Sequence, residues 1–293
     1  MSAKKILVVG SLHFDIMVNA HHRPEKGETV IGSGCSFKFG GKGGNQAIAA
    51  AKAGAEVTFF GAVGSDDHGR FLVDALQTAG IDTTHVETIN AIASGMSVAI
   101  TDVDGDYGAV VVSGANTKIN IERLADNDVW SDVGMLILQN EVPDAVNLSA
   151  AQEARRHHIT VCLNAAPAKM LSADFQRCID VLVVNSVEAR DMSGVTVNSL
   201  NSAGEAALRL KERFPVVIVT AGEYGVAFSD SANSYDSLAA EKVELVSTHG
   251  AGDCFMGTFC KAFNAGVPLN KAIEAANHAA AIHVSQPKTV RAS

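Results

Sequence analysis

Residues 248–255 read Thr-His-Gly-Ala-Gly-Asp-Cys-Phe. The apolar run Val243–Val246 before them predicts a strand, and Phe255–Ala265 after them predicts a helix. Small residues at a helix start leave backbone N–H groups open at the positive end of the helix dipole, so Gly250, Ala251 and Gly252 form a candidate anion hole. Asp253 stands at its mouth, where a carboxylate is electrostatically unfavourable unless it has work to do. Two readings fit: a base that takes a hydroxyl proton while the hole holds a phosphoryl group in transit, or a helix N-cap, for which Asp is favoured.

A second concentration of polar chemistry lies at Gly40-Gly41-Lys42-Gly43-Gly44-Asn45-Gln46. No Ser or Thr follows Lys42 and Gln46 replaces a third glycine, so this is neither a Walker A loop nor a dinucleotide fingerprint. A dense glycine turn lets a small polar ligand approach the backbone. Lys42 is then a point charge for a phosphate, or a solvated lysine on a tight strand–helix turn. Asn185 and Glu188 follow an apolar run with the spacing Asn-x-x-Glu, suited to a hydrated Mg²⁺. Asp15 and Glu141 are placed to grip hydroxyls; Asp15 is equally suited to cap a loop.

The elements that must position these groups read as an α/β chain. Continuous apolar runs predict buried parallel strands at Lys5–Gly10, Val57–Gly61, Met135–Gln139, Ile159–Leu163, Val181–Val184 and Val216–Val219. Helices are predicted at Ala47–Ala53, Arg70–Thr78, Asp144–Arg156, Ser202–Arg213 and Leu269–Val284. Four successive strands end in polar residues or polar–Gly turns, which brings those groups to one sheet edge. Two stretches lack helices: His21–Lys38, with alternating pieces such as Thr29–Ile31, and Met96–Ser113, turning at Asp104-Gly105-Asp106. The regions that contain them, about 13–39 and about 93–113, are expected to pair into one small sheet, a lid on the main body. The boundaries are 1–12, 40–92 and 114–293 for a central, mostly parallel sheet flanked by helices, and 13–39 with 93–113 for the lid.

Bulk properties narrow the partners. The 293 residues carry a net charge of −9 with no basic stripe, against nucleic acid as a main partner. Apolar residues make up 47% of the chain, yet no apolar run approaches the ~18 residues of a membrane span. Five cysteines, none in C-x-x-C spacing, suggest reduced thiols and a cytoplasmic setting.

Together these motifs resemble the ribokinase-like (PfkB) family of carbohydrate kinases. Gly40 through Ala47 is similar to that family's N-terminal signature and Thr248 through Asp253 to its C-terminal one. Supporting matches are Gly10-Ser-x-x-x-Asp15, Gly114-Ala-Asn116, Gln139-x-Glu141, Leu163-Asn-x-Ala-Pro-Ala168, Asn185-x-x-Glu188 and Thr220-x-Gly222-x-x-Gly225. The resemblance implies transfer of the γ-phosphoryl group of ATP to a hydroxymethyl group of a pentose, ribose foremost. It makes Asp253 the base and Gly250, Ala251 and Gly252 the anion hole. Asp15, Gly41, Asn45, Glu141 and Asp253 become sugar ligands, with Lys42 close to sugar and phosphate. Asn185, Thr220, Gly222, Gly225, Gly252 and Asn277 become the ATP site, with Glu188 acting on Mg²⁺ through water. It also implies a lid that often pairs two copies.

Three departures bear on these expectations. Ser247 replaces the Asp of the family pattern Asp-Thr-x-Gly-Ala-Gly-Asp, a position tied to an activating monovalent cation, so K⁺ activation stays open. The tail Gln286–Ser293 departs as well. His13 stands where family members carry Asn, which makes it a candidate sugar contact, and His13-Phe14 could stack on or bond to a base. Nucleosides, pseudouridine included, are therefore the alternative acceptors, and a non-catalytic sugar or nucleotide sensor is the rival of another class.

Overall fold

A run apolar at every position gives no face to water, and burying it on both sides demands a layer of helices above and below. The computed structural model describes residues 4–104, 106–231 and 233–286. Its strands are β1 (Lys5–Val9), β2 (His13–Asn19), β3 (Gly34–Gly40), β4 (Val57–Gly64), β5 (Asp82–Ile89), β6 (Met96–Thr101), β7 (Tyr107–Val112), β8 (Val133–Gln139), β9 (Thr160–Asn164), β10 (Val181–Asn185), β11 (Val216–Thr220), β12 (Gly225–Ser229) and β13 (Asp236–Ala239). Its helices are α1 (Lys42–Lys52), α2 (Asp67–Thr78), α3 (Asp144–Arg156), the single turn α4 (Ala173–Gln176), α5 (Ser186–Ser193), α6 (Leu200–Lys211), α7 (Ala251–Asn264) and α8 (Leu269–Ser285).

Nine strands form one sheet in the order β13-β12-β11-β10-β9-β8-β1-β4-β5. It is parallel from β11 to β5, with β12 and β13 antiparallel at one edge. Side chains alternate between its faces. Ile6 and Val8 of β1 pack in the layer of α1, α2, α7 and α8, where Phe255 and Phe259 lie. Leu7 and Val9 pack in the opposite layer, with Ala150 of α3 and Leu210 of α6. The second sheet has the order β3-β2-β6-β7, with β2 and β6 parallel. The two helix-free stretches thus join in one small sheet.

Several local expectations change. Val243–Val246 is not a strand: Val246 and Ser247 give their N–H groups to the Val284 carbonyl of α8 at 2.8 and 3.1 Å, and Leu245 is 63% exposed. These bonds hold the run as a loop over the last turn of α8. Thr29–Ile31 is likewise irregular, with Ile31 almost fully exposed. Helix α1 starts at Lys42, five residues before Ala47, and takes Gly43 and Gly44 into its first turn. Gly105 of the predicted hairpin turn lies outside the described residues, as does the tail beyond Gln286; the flanking Asp102 N–H donates to the Asp106 carbonyl at 2.9 Å. β5, α4, α5, β12 and β13 come in addition to the predicted elements.

One tie between the main sheet and the strand pair β6–β7 is Asp66. It caps α2 by accepting the Gly69 N–H at 2.7 Å, and it accepts the Ser94 hydroxyl and N–H at 2.6 and 2.8 Å. Burial would raise this carboxyl, but the Ser94 and Gly69 hydrogen bonds outweigh it and hold it below the ordinary value. A depressed carboxyl pKa stabilises the fold above the unfolded-state value and loses that contribution as pH falls through the folded-state value. Asp66→Ala is therefore expected to cost about 1–2 kcal/mol at pH 7. In urea titrations the gap from the parent should close as pH drops below the ordinary carboxylate range; a pH-independent gap would argue against it.

Candidate active site

The start of α1 gathers one half of the site. β3 ends at Gly40, Gly41 turns the chain, and α1 begins with Lys42. Glu141, just past the end of β8, accepts the Lys42 N–H at 2.8 Å and the Ser11 hydroxyl at 2.6 Å. A carboxylate at a helix N-terminus is stabilised by the dipole. His13 is buried beside it, with Nδ1 3.9 Å from the Glu141 carboxylate and Nε2 unpartnered among the described residues. Asp15, two residues along β2, accepts the Ser97 hydroxyl of β6 at 2.5 Å. Burial pushes its carboxyl up; the Ser97 hydroxyl, His13 and His249 work against that rise. The odd-numbered residues His13 and Asp15 share one face of β2. Phe14, on the other, stacks on His68 at 4.1 Å and meets Phe71 edge-on, so its ring is not offered to a base.

Asp253 sits where α1 and α7 meet. The residue at the α7 N-cap is Gly250, with φ 80°, and Asp253 lies in the first turn, which removes the capping reading. Its carboxylate accepts instead from Gln46 Nε2 at 3.0 Å and Asn45 Nδ2 at 3.3 Å. Gln46 Nε2 also donates to Asn164 Oδ1 at 3.0 Å. These amides are neutral, so they orient the carboxylate without forming an ion pair. Burial raises its pKa, the Lys42 charge and the two amides pull it down, and Glu141 adds to the rise. Within the candidate anion hole, Ala251 spends its N–H on the Thr248 carbonyl at 3.2 Å. Among the described residues, the N–H groups of Gly250, Gly252 and Asp253 have no protein acceptor.

From Asp253 a cleft of about 980 Å³ runs along the sheet edge. Lys42, Asn185, Glu188, Thr220, Gly222, Gly225, Asn277 and the segment Gly250–Asp253 all line it. His13, Asp15, Gly41, Asn45 and Glu141 do not; they cluster around the start of α1, and Lys42 and Asp253 connect the two groups. Asn185 and Glu188 form a capping box on α5: Asn185 Oδ1 accepts the Val187 and Glu188 N–H groups, and Glu188 Oε2 accepts the Asn185 N–H, all at 2.9 Å. Burial pushes the Glu188 carboxyl up, with Asn185 and the Lys42 charge opposing it. Asn277 of α8 donates to the Ala239 carbonyl at 3.1 Å, tying α8 to the end of β13. Among the described residues, no three acidic, Cys or His side chains converge as a metal site.

Gln46, Ser11 and Asn164 lie inside motifs quoted from the sequence but received no role there, and Ser97 was not singled out; all four support this site. Gln46 is a fully buried polar side chain inside the glycine motif, and Asn164 ends a buried strand; those two positions carried the available signal.

A parallel α/β sheet, a long cleft at its strand ends and a carboxylate poised beside a helix start with open N–H groups define a small-molecule kinase. The chain belongs to the pfkB family of carbohydrate kinases, whose profile matches residues 3–293. It is 33% identical to the ribokinase of Haemophilus influenzae over 286 residues, covering 97% of this chain and 93% of that one. It is 34% identical to the ribokinase of Bacillus subtilis, covering 96% and 93%. The structure of Arabidopsis thaliana ribokinase complexed with ribose and ATP superimposes with a TM-score of 0.90 at 27% identity, covering 98% of this chain and 95% of that one. No helix among the described residues is long and apolar enough to cross a membrane, and all five cysteines are free.

Proposed function

We propose that this enzyme phosphorylates the hydroxymethyl group of ribose with ATP, yielding ribose 5-phosphate and ADP. The observation that carries the reading is the Asp253 carboxylate: two neutral amides hold it beside open α7 N–H groups, where a cleft lined by Lys42 ends. Two relatives bearing the name ribokinase and the neighbour that holds ribose and ATP support the choice of substrates. In this reading the sugar lies against Asp15, Gly41, Asn45, Glu141 and His13 under the small sheet, which acts as a lid. The nucleotide lies along Asn185, Thr220, Gly222, Gly225 and Asn277. Asp253 takes the proton of the attacking sugar hydroxyl, the sugar oxygen bonds to the γ-phosphorus, and the bond from that phosphorus to the ADP oxygen breaks. The N–H groups of Gly250 and Gly252 receive charge on the transferred group. Glu188 would hold Mg²⁺ through water, and the ion would neutralise phosphate charge.

The test is coupled ADP release with Mg-ATP and a panel of ribose, deoxyribose, other pentoses and nucleosides, each with and without K⁺. Ribose is expected to give the highest kcat/KM. Turnover confined to nucleosides would replace ribose as the acceptor, and background rates on every acceptor that still binds would favour a sensor. The K⁺ arm reads what Ser247 has changed: its hydroxyl accepts the His249 N–H at 3.4 Å.

A further inference from the structure

The loop that delivers the α7 N–H groups is held from behind by α8. Val246 and Ser247 fasten its entry to the Val284 carbonyl. One residue earlier on α8, His283 places Nε2 3.0 Å from the His249 carbonyl oxygen. A carbonyl only accepts, so Nε2 is the protonated nitrogen and donates. His249 O and Gly250 N belong to one planar trans peptide, in which C=O and N–H point in opposite directions. Fixing the carbonyl toward α8 therefore fixes the Gly250 N–H away from α8. That N–H is among those with no protein acceptor in the described residues. Gly250 itself has φ +80°, and a Cβ there would stand 3.2 Å from His283 Nε2. The imidazole thus lies at contact distance on the peptide that opens the anion hole, at a residue with little steric resistance of its own to peptide rotation.

We infer that His283 is a positioning residue for phosphoryl transfer: through the His249 carbonyl it locks the Gly250 peptide so that its N–H faces the transferred group. This rests on the reading of the Gly250–Asp253 segment as the site of transfer. His283 touches neither sugar nor nucleotide in this scheme. Its contribution belongs to the transition state, when charge grows on the transferred oxygens, and so to kcat.

The test compares His283→Gln, which keeps an N–H donor at a similar reach, with His283→Leu, which fills the space without one. Both are made in the full-length protein and assayed for ADP release with ribose and Mg-ATP, with ATP affinity measured by calorimetry. His283→Leu is expected to lose about tenfold in kcat, the scale of one hydrogen bond. KM for ribose and Kd for ATP should stay within about twofold, as for an interaction made only in the transition state. His283→Gln should recover kcat to within about threefold of the parent. Should the Leu variant fail to fold, His283→Ala serves as the donorless variant. Parent-like kcat without a donor, equal losses in the Gln and donorless variants, or a loss confined to ATP affinity would overturn the inference. A parent silent on every acceptor would instead overturn the functional reading beneath it.

Discussion

Asp253→Asn is expected to lower kcat with ribose by about 10²- to 10⁴-fold, the range associated with removing a general base. The replacement has the size of the original and its one oxygen still accepts from Gln46 while its NH2 takes the place of the oxygen that faced Asn45, so one of the two amide hydrogen bonds holds the junction of α1 and α7. It cannot take a proton at any accessible pH. Calorimetric ATP binding should match the parent within about twofold, because the residues proposed to hold the nucleotide lie along the cleft beyond this carboxylate. A variant within tenfold of parental kcat would remove Asp253 from the base role. The parent's pH profile offers a second reading of the same residue. Only ionised Asp253 accepts a proton, so activity falls as pH drops through its pKa. Burial raises that pKa, which places the acid limb above the ordinary aspartate value of about 3.9.

Gly43→Ala is the second large effect. An exposed Gly→Ala change inside a helix would stabilise by about 0.5–1 kcal/mol; here the sign reverses. A Cβ at position 43 would stand 2.6 Å from the Ser11 nitrogen and 2.8 Å from Gly10 carbonyl carbon and Cα. All three are backbone atoms just past the end of β1, an interior strand of the main sheet, and cannot swing aside as a side chain would. The helix must retreat instead, at an overpacking cost of about 1–3 kcal/mol. That retreat carries Asn45 and Gln46, two and three residues on, away from Asp253. Displacing reactive groups by about 1 Å costs on the order of 100-fold in rate. A lower Tm together with such a rate loss is expected; a Tm at or above the parent's would sink the packing argument.

How much of this was legible along the chain depends on how local each signal is. β1, β4 and β8 announce themselves by near-continuous apolar stretches such as Ile6–Val9 and Met135–Leu138. β5 lies at the sheet edge with mixed residues such as Thr83, His85 and Glu87, and its strand character comes from pairing with β4. The run Val243–Val246 shows the converse: its end is hydrogen-bonded to the Val284 carbonyl of α8 and not to a strand, which the local sequence does not reveal. The chemical groups Asp253, Lys42, Asn185 and Glu188 stood out by type and by their place after strands or at helix starts. Their supports did not. Gln46 meets Asp253 across 207 residues and Ser97 meets Asp15 across 82, so nothing nearby in the sequence marks either pair.

The small sheet is joined to the catalytic body in a way that limits how either can change. β2 leaves β1 after three residues, and β3 runs into α1 through Gly41 alone. His13 pairs with Gly40 at that exit, so the two crossings are clasped side by side. With so little slack, tilting the small sheet acts as a lever on the first turn of α1, the turn whose Asn45 and Gln46 aim the Asp253 carboxylate. In the proposed reaction, a small sheet that moved over the acceptor would therefore also move the residues that aim the proposed base. A chimaera that grafts another relative's small sheet onto this body should therefore cut after Gln46, not at Gly40, and transplant the aiming turn with its strands.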